Sequence, residues 1–119
     1  MLLPSYRTLD GSLVTELIRP EADGGSPKLS LAEAAIKPGQ RTHRHIHRTS
    51  DEAYYILSGE GLLTVAALQR PVHQGEAHLI KAGTEHCIAC VGAEPLRIIC
   101  CCAPPYQHDD TILTEAVLA

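Results

Sequence analysis

The sequence contains no tryptophan and no phenylalanine, and its aromatic side chains are four tyrosines. Its core must therefore be filled by Leu, Ile, Val, Ala and Tyr. Hydrophobic residues still make up 45% of the 119 residues, enough to fold rather than stay disordered. No apolar run approaches the roughly 20 residues a membrane helix needs. The opening stretch MLLPSYRTLDG lacks a basic segment followed by an apolar one, so no signal peptide is expected. Basic charge is also scarce. Ten Lys and Arg against 14 Asp and Glu leave a formal charge of -4, which argues against a nucleic-acid binder. The length suits one domain over residues 1–119.

Long uninterrupted segments are missing too. Nine Gly and eight Pro fall at short intervals, and most of what lies between is too short for ordinary helices. Many short segments with regular turn signals predict an all-β sandwich or barrel. The candidate strands are Ser12 to Ile18, Lys28 to Ile36, Thr42 to Arg48, Glu52 to Leu57, Leu62 to Leu68, Glu76 to Ile80, His86 to Val91 and Leu96 to Cys102. Glu21 to Pro27 reads as an exposed loop, and only the tail, Asp110 to Leu118, suits a short helix.

Chemistry concentrates in Thr42 to Arg48. On an extended strand His43, His45 and His47 share one face, and two imidazoles at i and i+2 can meet one metal ion. Glu52 follows a polar turn, Thr49-Ser50-Asp51, so a chain reversal would bring a carboxylate to the same point. His86 follows the turn Ala82-Gly83-Thr84, and a closed barrel can supply a fourth ligand from such a distant strand. The alternative is that a His-rich strand is exposed and inert.

The spacing Gly39-(five residues)-His45-Ile46-His47-(four residues)-Glu52-(six residues)-Gly59 resembles the first motif of the cupin superfamily. Gly75-(five residues)-Lys81-Ala82-Gly83-(two residues)-His86 resembles the second, with Lys81 where Pro is usual and Cys90 where Asn is frequent. The resemblance implies a double-stranded β-helix, a form of jelly roll. It implies one divalent transition metal (Fe, Mn, Ni, Zn or Cu) held by His45, His47, Glu52 and His86, with coordination positions left open for water or substrate. It implies a homodimer, in which a strand such as Ser12 to Ile18 could cover an open edge of the partner's sheet.

Several residues keep two readings. His43 is an alternative ligand or substrate contact, or a polar group at the barrel mouth. His78, on the face of Ile80, is a substrate contact or proton shuttle, or a hydrogen-bonded core histidine. Tyr54, alternating with Glu52 and Ile56, orients a substrate or fills the core. Arg41, Arg44 and Arg48 meet an anion or form a solvated strand face. Three functional classes follow. The first is a metal-dependent enzyme on a small oxygen-rich metabolite, either a dioxygenase or an isomerase, epimerase or lyase of the sugar-phosphate isomerase type. The second is a non-catalytic small-ligand sensor, and the third a barrel merely braced by its metal. No membrane partner is expected.

Cys87, Cys90, Cys100, Cys101 and Cys102 are odd in number, and three are consecutive, which suits reduced thiols in a cytoplasmic protein better than a disulfide framework. Buried Cys then acts as a small hydrophobe. A thiol titration of freshly prepared protein in denaturant without reductant should count all five; a lower count would reveal a disulfide.

Overall fold

Alternation builds the strands of this molecule. Along Asp51–Ser58 the side chains of Glu52, Tyr54 and Ile56 are buried, while Asp51, Ala53 and Tyr55 are exposed. The period of two gives one inward and one outward face. The structure, a computed structural model, describes residues 5–19 and 24–116, which hold eleven strands and no α-helix. The strands are β1 (Ser5–Arg7), β2 (Leu13–Ile18), β3 (Ser30–Ile36), β4 (His45–His47), β5 (Asp51–Ser58), β6 (Glu60–Val65), β7 (Leu68–His73), β8 (Ala77–Ile80), β9 (His86–Cys90), β10 (Leu96–Ala103) and β11 (Thr111–Leu113). They form two sheets, ordered β1-β2-β3-β10-β5-β8 and β11-β4-β9-β6-β7, with antiparallel pairing throughout. The fold is an all-β double-stranded β-helix. No helix among the described residues is long and apolar enough to cross a membrane.

The core between the sheets is aliphatic, as a chain without Phe or Trp requires. Ile56, Leu63, Val72, Ile80, Ile88, Leu96 and Ile98 are all at most 2% exposed. At about 1.5–3 kcal/mol for each fully buried aliphatic side chain, this cluster is the principal source of stability. Tyr54 joins it from β5.

Three expectations from the sequence change. Leu62 to Leu68 is not one strand, because the chain turns at Ala66, whose φ is +54°, and returns as β7. Pro71 lies within β7 and is tolerated because β7 is the edge of its sheet, where a missing N–H breaks no ladder. The described part of the tail, up to Ala116, holds no α-helix: a 3₁₀ turn at His108–Asp110 leads into β11, which pairs with β4, and residues 117 and 118 lie outside the described residues. Thr111 and Ile112 are β-branched and favour the extended form, and β11 satisfies the outer side of β4. The third strand shrinks to His45–His47, since Thr42 N–H donates to Ile88 O and His43 N–H to Asp10 O. β2 pairs with β3. In the expected loop, Gly24, Gly25 and Pro27 are exposed, while residues 21–23 lie outside the described residues.

Gly59 joins β5 to β6 with φ +89°, and a Cβ there would stand 2.6 Å from the Pro95 carbonyl oxygen. Neither the dihedral nor the space suits another residue. Gly59→Ala should therefore cost at least about 2 kcal/mol, read as a lower urea midpoint with an unchanged slope.

Candidate metal centre

Two strands of one sheet and one of the other bring four donors together. On β4 the buried side chains are His45 and His47, flanking the outward Ile46. His86, at the start of β9, is the cross-strand partner of His45. Glu52 comes from β5 in the facing sheet, so the chain must cross between sheets within Arg48–Ser50. Asp110 holds that crossing: its carboxylate accepts Thr49 N–H at 3.0 Å, the Thr49 hydroxyl at 2.8 Å and Ser50 N–H at 3.3 Å. Ligand atoms of His45, His47, Glu52 and His86 all lie within 4.8 Å of one another, and all four residues are buried.

The outer nitrogens of the three rings are tied down. His45 Nδ1 donates to His43 O at 2.6 Å and His86 Nδ1 donates to Thr84 O at 3.0 Å, while His47 Nδ1 pairs with Thr111 Oγ1 at 3.0 Å. A carbonyl can only accept, so Nδ1 of His45 and His86 carries the proton and Nε2 turns inward. His47 Nε2 and His86 Nε2 stand 3.1 Å and 3.3 Å from Glu52 Oε1. The Cys102 thiol, at 3.5 Å, donates to Glu52 Oε2.

These contacts set the local charges. Burial alone would raise the Glu52 carboxyl pKa, but hydrogen bonds and charge from His47 and His86 hold it well below the usual carboxylate range. Burial would lower His47, but the hydrogen bond and charge of Glu52 outweigh it and raise its pKa. His45 is lowered, first by burial and then by the neighbouring His86. Its Nε2 is buried and has no hydrogen-bond partner.

The donor set fits a divalent metal. An unpartnered buried Nε2, kept neutral and aimed at a carboxylate and two further imidazoles, is an acceptor that lacks a cation. A spread within 4.8 Å suits an ion standing about 2.0–2.2 Å from each donor. Of the donors, His47 and Glu52 line a cavity of about 60 Å³, whose wall includes aliphatic side chains of β2, β3, β9 and β10.

Other residues singled out in the sequence take varied places. Tyr54 is 3% exposed, lines the cavity, and has its ring 6.2 Å from that of His86. Burial, then the charge of Glu52, raises its phenol pKa well above the usual value, so it is a proton-bearing group. His78 sits opposite Tyr54 on the edge strand β8, pairs with Glu76 Oε1 at 3.3 Å, and is not among the residues lining the cavity. His43 leaves the face of His45 because it precedes β4; its Nδ1 lies 4.0 Å from Glu115. Arg41 is engaged by both oxygens of Glu115, at 2.7 and 2.9 Å, and Arg44 stands 3.8 Å from Glu85. Cys100 and Cys102 line the cavity, and burial raises both thiol pKa values.

Asp10 and Thr111 join the site without any motif signal. Asp10 lies in the turn between β1 and β2, with Oδ2 3.6 Å from His45 Nε2. Its sequence context, Asp10-Gly11, marks a turn and nothing more.

A model of the cupin domain family matches residues 32–102, and the chain belongs to that family. A protein of Methanocaldococcus jannaschii is 44% identical over 110 residues, covering 92% of this chain and 87% of its own. L-ectoine synthase of Bordetella avium is 37% identical over 92 residues, 76% of this chain and 68% of the synthase. A solved structure from Klebsiella pneumoniae with a double-stranded β-helix domain superposes with TM-score 0.73 at 18% identity, covering 97% of this chain and 91% of that one.

Glu115 holds the segment after β11 against β4. The Arg41 hydrogen bond and then the Arg44 N–H lower its pKa to about 2. A depressed carboxylate contributes stability above its unfolded value of about 4.3, and loses it as pH falls towards the folded value. Glu115→Gln should therefore be slightly less stable than wild type at pH 7, by no more than about 1 kcal/mol for so exposed a pair. The gap should close between about pH 4 and 2, as measured by urea unfolding across that range.

Proposed function

We propose that this cupin holds one divalent transition metal through His45, His47, Glu52 and His86 and uses it to act on a small metabolite bound in the adjoining cavity. The observation that carries this reading is the convergence of three inward Nε2 atoms and a carboxylate beside that cavity, with His45 Nε2 left unpartnered. On a metal that takes five or six ligands, four protein donors leave positions for a substrate. When bound, the ion polarises a hydroxyl or carbonyl, or, if redox-active, supports oxygen chemistry. The chain's own part is to orient the ligand and supply a proton. The Tyr54 phenol, protonated and facing the cavity, is the hydrogen-bond donor placed to do so. The L-ectoine synthase likeness supports a catalytic use of the barrel.

The metal reading is tested by elemental analysis of protein purified without added metal. About one equivalent is expected, and it should be lost in the double variant His45→Ala, His47→Ala. Thr111→Val frees His47 Nδ1 and should weaken metal affinity about 10–100-fold while the protein stays folded. Full metal retention in the double variant would overturn the site. Loading with Fe, Mn, Ni or Zn and following oxygen uptake and anaerobic turnover on a metabolite panel separates dioxygenase from isomerase or lyase. Tight ligand binding without turnover under every metal would leave a sensor.

We also propose a homodimer through the outer face of the six-stranded sheet. There Tyr55 is 43% and Leu79 61% exposed, on neighbouring strands beside the open edge of β8. Light scattering at micromolar concentration should give twice the chain mass, and Leu79→Glu should halve it.

A further inference from the structure

The wall of the cavity is unusual in its charge. Three carboxylates line it, Asp10, Glu16 and Glu52, and no Lys or Arg does so among the described residues. Glu16 is compensated, because it accepts the Tyr6 hydroxyl at 2.9 Å and stands 3.1 Å from Arg19. Asp10 is held differently. Its Oδ1 takes the Ser12 N–H at 2.9 Å, the Ser12 hydroxyl at 2.7 Å and the Thr8 hydroxyl, which fixes the carboxylate in the turn. The His43 N–H, donating to Asp10 O at 2.7 Å, ties that turn to the strand bearing the donors. Oδ2 has no donor among the described residues and faces the unpartnered His45 Nε2, whose side chain is 1% exposed.

The consequence is electrostatic, and it rests on the metal centre proposed above. A divalent ion is balanced by Glu52 and Asp10 together, so the centre presents no net positive charge to a ligand. A carboxylate or phosphate brings no proton for the unpaired Asp10 Oδ2 and finds no Lys or Arg on the wall to receive it, so nothing that lines the cavity favours an anion. An ammonium group would meet Asp10 Oδ2 as a charge-assisted donor. At about 10–15 Å³ per water-sized site, a volume of about 60 Å³ admits roughly four to six non-hydrogen atoms. We propose that the cavity takes a small aliphatic amine bearing a hydroxyl group, with Asp10 Oδ2 accepting the hydrogen bond of its ammonium end. The aliphatic wall contributed by Val14, Ala34 and Ile88 covers the carbon body.

Calorimetric titration of zinc-loaded and metal-free protein with 1-amino-2-propanol, lactate and inorganic phosphate tests this. The amino alcohol should bind at least about tenfold more tightly than either anion. Asp10→Asn keeps the oxygen that holds the turn but replaces Oδ2 by a donor. It should weaken the amino alcohol about tenfold or more and strengthen lactate, in a variant whose circular dichroism spectrum shows it folded. Wild-type protein that prefers lactate or phosphate, or a folded Asp10→Asn variant with unchanged ranking, would overturn the inference. If the variant does not fold, the wild-type ranking decides alone. The two readings fail separately. Amine preference in a protein that holds no metal removes the metal centre only. Stoichiometric metal with anions preferred removes the amine ligand only.

Discussion

The rest of the site depends on how the three histidines are anchored from behind. Two backbone carbonyls and one threonine hydroxyl occupy the Nδ1 atoms, so rotation of any ring would break a hydrogen bond in a buried setting. With the outer nitrogens engaged, the inner ones have one direction left. Glu52 then meets Nε2 atoms rather than N–H groups supplied by the fold, and the cluster needs either bound protons or a cation. The unpartnered His45 Nε2 is compatible with a cation, because burial beside His86 opposes a charge on that ring.

That anchoring explains the short strand that carries two of the donors. β4 is three residues long, too short to hold itself in register, and it is bracketed by β9 on one side and β11 on the other. β11 does two things at once: its backbone pairs with β4, and its Thr111 hydroxyl reaches His47. Asp110, one residue earlier, clamps the crossing that delivers Glu52 to the opposite wall. Apart from His45 Nε2, the buried polar cluster is thus supported by neighbours, which a buried group of charges requires to be tolerable. Tyr54, Ile88 and Ile98 belong both to the aliphatic core and to the cavity wall, so the site has no separate scaffold. Metal binding to such a site is coupled to folding, because the donors come from strands that meet only in the native state.

What could be read from the sequence follows the range over which a rule acts. The i, i+2 relation of His45 and His47 and the alternation of Glu52, Tyr54 and Ile56 are local consequences of a pleated strand, and they survive in the structure. The joining of His86 to them needed the motif spacing, since nothing local places it opposite His45. His43 broke the alternation because its N–H is taken by Asp10 O, a partner more than thirty positions away. The tail read as helical became a strand because β4 offered an unpaired edge, a tertiary fact without trace in Asp110 to Leu118. The same holds for Asp10. A turn of the type Asp-Gly is legible, but the direction in which its second carboxylate oxygen points is not.

The division between legible and hidden parts has a functional meaning. The four donors lie within residues 32–102, the stretch shared with the cupin domain family, and they supply a centre common to many chemistries. The groups that make the centre particular lie outside it: Asp10 on the turn before β2, Tyr106 with its ring 5.9 Å from that of His47, and Thr111 on β11. Segments before and after that stretch therefore pack onto a common core and furnish the charge and the shape around the four donors. Selectivity among ligands must come from groups that differ in sign and position while the donors stay constant. In this barrel a carboxylate stands beside the donors, with one oxygen held by three donors and the other without one among the described residues. A barrel of the same family carrying a basic side chain at that point would present the opposite charge to a ligand without altering any of the four donors.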